Sequence, residues 1–280
     1  RLQGWCLTSL NRTPNGPLSM ARALVCLSLA TAAVASATAA DGDELALLQV
    51  GATVARADAC QCLSWKDVYA KHGVECGRGP ELMFAGGYFM KPFLGEEFCT
   101  KFYEKLSGSF CTQLFNGQPR DEQWCYVSSA CKDPGANMTV GSVKSKLCKP
   151  GTDTMLGQMT PEQLHKVAVA EDKDPGLVFK MAYPVHKVDG HNGLDWPAAE
   201  ACLQQPSGAN CTVVQEVQRA GKPMIFDSKD GHPPFGVIIG NRAYESHFTA
   251  WFFDTVSNST ALWENPSKMN EYSCVYGCSL

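Results

Sequence analysis

No run of basic residues longer than two occurs in this chain, and its formal net charge is −4. A surface that neutralises a nucleic-acid backbone needs clustered Lys and Arg, so nucleic acid is not an expected partner. Also missing are G-x-S-x-G, H-E-x-x-H, the P-loop and G-x-G-x-x-G, which removes the common hydrolase, zinc-protease and nucleotide signatures and leaves no cofactor to expect. Nor does any apolar stretch reach the roughly 20 residues that span a bilayer; the one at 23–34 is too short.

That stretch reads instead as the core of a secretory signal peptide. Met20-Ala21-Arg22 supplies a positive start, and Ala35-Ser36-Ala37 and Ala37-Thr38-Ala39 are overlapping A-x-A cleavage sites. An acidic segment, Asp41-Gly42-Asp43-Glu44, follows where a stop-transfer flank would be positive. Residues 1–19 contain no Met and no hydrophobic period, and are read as lying outside the translated protein, with 20–39 as the signal. The removed part carries Arg1, Arg12 and Arg22 and no acid, so the mature chain is more acidic than the whole. Residues 40–59 read as a leader or flexible segment with a short helix at 43–49.

Cysteine is abundant. Leaving aside Cys6 and Cys26, the set is Cys60, Cys62, Cys76, Cys99, Cys111, Cys125, Cys131, Cys148, Cys202, Cys211, Cys274 and Cys278. An even set behind a signal peptide implies a disulfide framework. Eight fall in 60–148 and four in 202–278, both even, with "KPGTDTMLGQM" between them. The expectation is therefore a stapled, mainly helical or irregular cysteine-rich domain at 60–148, a linker at 149–159, and an α+β domain at 160–280 with an antiparallel sheet.

Local signals place the elements. Ser64 caps a short helix ended by Gly73, and Phe98, Phe102 and Leu106 recur at helical spacing in "GEEFCTKFYEKLSG". "TPEQLHKVAVA" opens with a T-x-x-Q capping box and Pro161 at the first helical position. "GLVFKMAY" (176–183) reads as a strand, "DWPAAEACLQQ" as a helix opened by Asp195, and "TVVQEVQRAG" as a second T-x-x-Q helix stopped by Gly221. "PMIFD", "FGVIIG" and "HFTAWFFDTV" read as strands of a sheet within 223–264. Trp124-Cys125-Tyr126 resembles the W-C-Y phrase of kringle and fibronectin type II modules over those residues alone, and no ligand follows from it.

Several strings carry polar chemistry. "HKVDGHNGLD" groups His186, Asp189, His191 and Asp195. Imidazole and carboxylate suit Zn²⁺, but a spacing of five separates the two histidines by about 140° on a helix, so only a loop converges them. We read a solvated turn there, with metal on His186, Asp189 and His191 as the alternative. Asp227, Asp230, His232, Glu245 and His247 form an acid/base site if the sheet gathers them; the polar turn "DSKDGHPP" is the plainer reading. Cys60-Gln61-Cys62 reads as structural, not redox-active, and "CVYGC" ties the tail to the sheet. Aromatics in "GGYFMKPF" suit sugar stacking, although a small stapled core also needs them. Asn137, Asn210 and Asn258 begin glycosylation sequons, Asn210 the weakest because a bridged Cys211 hinders transfer.

The sequence thus points to a secreted or cell-surface glycoprotein that binds a protein or glycan without catalysis and has no stable membrane span after signal cleavage. The alternative is a secreted hydrolase in the C-terminal part, with metal at His186, Asp189 and His191 or with Asp227 and His232 as acid and base. N-terminal sequencing of the secreted product should begin near Ala40; a product retaining Met20 contradicts the signal-peptide reading.

Overall fold

The computed structural model describes residues 58–278 apart from 134, 187–192 and 209; of residue 259 only the backbone is described. The first helix, α1 (Trp65–Lys71), starts where Ser64 accepts a hydrogen bond from Asp67 N, and it buries Trp65 and Val68. A 3₁₀ turn at Pro80–Ala85 and another at Tyr88–Met90 lead into α2 (Lys91–Gly95).

The regular helix expected through Phe98, Phe102 and Leu106 is not what forms. Instead α2 widens into a π-helical turn at Glu96–Thr100, with Lys101 N bonding Glu96 O, and a 3₁₀ turn follows at Tyr103–Lys105. The wider turn shifts the facing of the chain, so that Phe98, Phe102, Tyr103 and Leu106 are all buried and Cys99 meets Cys76. Then come β1 (Thr112–Gln113), β2 (Gln123–Ser128), β3 (Ala136–Val140) and β4 (Val143–Leu147). They form an antiparallel sheet in the order β1-β2-β4-β3, which no alternation in the sequence announced.

Helix α3 (Pro161–Ala170) has the full capping box: Gln163 N donates to Thr160 Oγ1, and Thr160 N donates to Gln163 Oε1. The next segment corrects the strand expected at 176–183. Asp174 accepts from Gly176 N and Pro175 occupies the first turn of α4 (Pro175–Lys180), all but the last residue of which is buried. A short apolar run does not distinguish a buried strand from a buried helix; the cap and the proline do.

After β5 (Val185–His186), Asp195 caps α5 (Trp196–Gln204) by accepting from Ala198 N. Helix α6 (Thr212–Ala220) forms and ends at Gly221 in the left-handed region, but its expected capping box is absent. Cys211, bridged to Cys202, takes the cap position, and Gln215 donates to Pro206 O instead. Strands β6 (Met224–Phe226), β7 (Phe235–Ile239) and β8 (Arg242–Phe248) follow. The strand expected through "HFTAWFFDTV" stops at Phe248, because Thr249 Oγ1 accepts from Phe252 N and opens α7 (Ala250–Thr255). Helix α8 (Ser259–Glu264) and a 3₁₀ turn at Pro266–Lys268 lead to β9 (Asn270–Tyr276).

The second sheet runs β5-β6-β7-β8-β9, antiparallel except for the β5–β6 pair. Strand alternation gives it two apolar faces. Val185, Ile225, Phe235 and Val237 join a core built with α3, α4 and the cysteine-rich part, while Phe226, Ile238 and Ala243 pack under α5 and α6. The protein is therefore α+β and disulfide-rich.

The six bridges are Cys60–Cys131, Cys62–Cys125, Cys76–Cys99, Cys111–Cys148, Cys202–Cys211 and Cys274–Cys278, so none crosses 149–159. The core does cross it. Met155 and Leu156 are buried, Leu156 N bonds Cys111 O, Gln113 N bonds Met181 O, and Gln123 Nε2 reaches Ala182 O at 2.6 Å. Insertion of a protease site between the exposed Gly151 and Thr152 should therefore give two fragments that co-elute under native conditions yet separate in denaturant without reductant. Fragments that drift apart in native buffer would show that the shared core contributes little.

Candidate functional site

Strand β9 is an edge of the second sheet, and an open groove of about 600 Å³ lies along it. Asn270, Glu271 and Tyr272 come from β9, His165 from α3, Thr249 and Trp251 from the start of α7, and Ser267 and Lys268 from the 3₁₀ turn.

Each wall is held from behind. Thr249 Oγ1 donates to Lys268 O at 2.6 Å while capping α7, so the helix carrying Trp251 and the turn carrying Lys268 are tied together. Phe248 stacks on Phe252 with centroids 3.9 Å apart, and Lys268 Nζ lies 5.8 Å from the centre of the Trp251 ring. Ser267 Oγ donates to Asp172 Oδ1 at 2.7 Å. The Tyr272 ring lies 5.0 Å from the His165 ring and 5.5 Å from Phe179, and burial raises its hydroxyl pKa.

Two residues of this groove each carry a buried polar atom with no partner among the described residues. Asn270 is 3% exposed; its Nδ2 donates to Asp174 Oδ1, but its Oδ1 accepts nothing. His165 Nδ1 is likewise buried and unpaired, and desolvation holds the imidazole below its ordinary pKa. Asp174, behind Asn270, is pushed up by burial although Asn270 and Gly176 N both bond it. An unmatched buried polar atom costs about 1–3 kcal/mol, and both of these atoms are closed to solvent behind the groove's surface.

The residues singled out in the sequence lie elsewhere. His186 sits on β5 against Phe226, its Nε2 buried without a partner and its pKa lowered by desolvation; Asp189 and His191 lie outside the described residues. Asp195 is occupied as the α5 cap. Asp227 accepts two hydrogen bonds from Lys180 Nζ, at 3.0 and 2.8 Å. Asp230 accepts from Ser228 Oγ and from His232 N, which closes the polar turn. Glu245 accepts from Trp196 Nε1 at 2.7 Å, and His247 Nε2 meets Glu271 Oε1 at 3.1 Å. Of that set only His247 touches the groove, through Glu271.

The three sequons are exposed: Asn137 at a bulge of the edge strand β3, Asn210 in the turn before α6, and Asn258 as the cap of α8. The aromatics of "GGYFMKPF" also reach the surface, with Phe89 and Phe93 67% and 77% exposed. His165, Trp251, Asn270 and Tyr272 were missed because no single stretch contains them.

The depressed imidazoles carry a pH signature. Unfolded histidine protonates near about pH 6.5, before buried His165 and His186 do, so the unfolded chain binds more protons and stability falls as pH drops below that value. Urea denaturation between about pH 6.5 and 5 should show this loss, and the H165Q/H186Q double variant should show less of it. Equal slopes for the two proteins would contradict the assignment.

Comparison with family models, with curated proteins and with solved structures finds no match.

Proposed function

We propose that the protein is a secreted glycoprotein that binds a glycan in the β9 groove. The observation that carries this reading is an open groove in which the aromatic rings of Trp251 and Tyr272 stand beside Lys268, Glu271 and Thr249. A sugar offers hydroxyls that donate and accept at once, and C–H faces that pack on aromatic rings. Glu271, Lys268 and Thr249 supply polar groups along the groove, in keeping with a site whose few placed polar groups set orientation. The groove is open, which suits a chain end or a branch presented on a surface.

Secretion is supported by the sequence signal and by six bridges, which persist in oxidising compartments. Among the described residues no helix is long and apolar enough to cross a membrane. What weighs against acid/base catalysis by Asp227 and His232 is the Lys180 ammonium that Asp227 holds with both oxygens.

A glycan array with the full secreted chain, followed by calorimetry on any ligand found, tests the reading. Trp251→Ala should weaken binding about tenfold or more, the loss of roughly 1.4 kcal/mol expected when an aromatic platform is removed. D227N should leave affinity unchanged. Binding that survives Trp251→Ala, or no glycan bound at all, would sink the proposal.

A further inference from the structure

Two of the disulfides are neighbours. The sulfurs of Cys62, Cys111, Cys125 and Cys148 all lie within 4.8 Å of one another, and Cys62 Sγ is 3.6 Å from Cys111 Sγ although the two belong to different bridges. No other group of His, Cys, Asp or Glu among the described residues is close enough to share a metal. We propose that, when these two bridges are reduced, the four thiolates form a tetrahedral Zn²⁺ site.

The geometry is near what the metal requires. A Zn–S bond of about 2.3 Å sets the sulfurs of a tetrahedral site about 3.8 Å apart, so each bonded pair opens by roughly 1.7 Å, the Cys62–Cys111 pair barely moves and the widest unbonded pair, within 4.8 Å, closes by up to about 1 Å. The backbone under the sulfurs is held by bonds that reduction leaves intact. Cys111 N donates to Thr154 O, Cys148 N to Gln123 O, and Leu63 N, beside Cys62, to Tyr126 O, beside Cys125. Cys111 and Cys125 are fully buried, which keeps water from competing for the ion.

A buried ion pair stands beside the sulfurs. Four thiolates around Zn²⁺ leave two negative charges, and Lys146 lies opposite Cys125 across the β2–β4 ladder. Lys146 and Asp153 form a pair at 2.8 Å, both 4% exposed at the side chain, and Asp153 Oδ1 is 3.9 Å from Cys62 Sγ. The Lys146 ammonium offsets part of the thiolate charge, and the Asp153 carboxylate opposes it.

The chemistry balances with an external dithiol as reductant. For each bridge, one dithiol supplies two electrons and two protons, the S–S bond breaks to two thiols, and the reagent closes to its own disulfide. Binding of Zn²⁺ then releases four protons, one from each thiol.

The full chain, reduced with excess dithiol and then transferred to dithiol-free anaerobic buffer, is titrated with Co²⁺ and, separately, with Zn²⁺. We expect the intense visible bands of tetrahedral cobalt–thiolate coordination, saturating at one ion per chain and bleached by Zn²⁺. Alkylation of the zinc-loaded chain followed by mass mapping should leave Cys62, Cys111, Cys125 and Cys148 unmodified while the other cysteines react. The C111S/C148S double variant should lose the cobalt bands, and C202S/C211S should keep them. Absent bands, bands that survive in C111S/C148S, uniform alkylation, or a reduced chain that stays unfolded with either metal each overturn the proposal.

Discussion

The carboxylate of Glu81 is 1% exposed, and the cysteine-rich half is arranged around satisfying it. Its Oε1 accepts from Tyr69 OH at 2.9 Å and Tyr126 OH at 2.7 Å, and its Oε2 from Gly77 N at 3.2 Å and Gly79 N at 3.0 Å. Burial pushes the group's pKa up and the donors pull it back down. Placing a carboxylate in such surroundings costs several kcal/mol unless its oxygens are matched, and here the four donors come from α1, β2 and the loop between the cysteines and the first 3₁₀ turn. Gly79 is required as well, since a Cβ there would lie 1.9 Å from the Tyr126 hydroxyl.

Around this anchor stands an aromatic cluster. Trp65 meets Trp124 edge-on at 4.8 Å and Tyr103 at 4.7 Å, Trp124 meets Tyr126 at 5.0 Å, and Trp65 Nε1 donates to Phe110 O. Edge-to-face pairs of this kind contribute about 0.5–1.5 kcal/mol each beyond the area they bury. From the cluster the core continues through Leu156 and Leu164 to Phe179 and the inner face of the second sheet. Tyr272, on that face, is also a wall of the groove, so the site rests on packing that begins at Glu81.

What the sequence disclosed was whatever has a local physical cause. Ser64, Thr160 with Gln163, and Asp195 each mark a helix start through bonds spanning three residues, and all three helices are present. The sequence left the pairing of the two even cysteine groups open, and each bridge closes within its own group. Where the cause was not local, pattern failed: the apolar run after Asp174 folded as a helix, the aromatic run after Phe248 turned into α7, and the π turn at Glu96–Thr100 has no sequence period of its own. The groove was illegible for the same reason. His165 and Asn270 are brought together by sheet order and the packing of α3, and neither residue is unusual among its neighbours in the chain.

The separation of bridges from core has a consequence for the order of assembly. As the chain emerges from the ribosome, every cysteine between 60 and 148 has its partner available before strands β6 to β9 have been made, so four covalent links can close ahead of most of the second sheet. The apolar surface that will receive strands β6 to β9 is still bare at that moment. The nascent part is then topologically locked but hydrophobically unfinished, and its bare apolar surface is open to wrong partners until the last strand, β9, arrives and completes the groove.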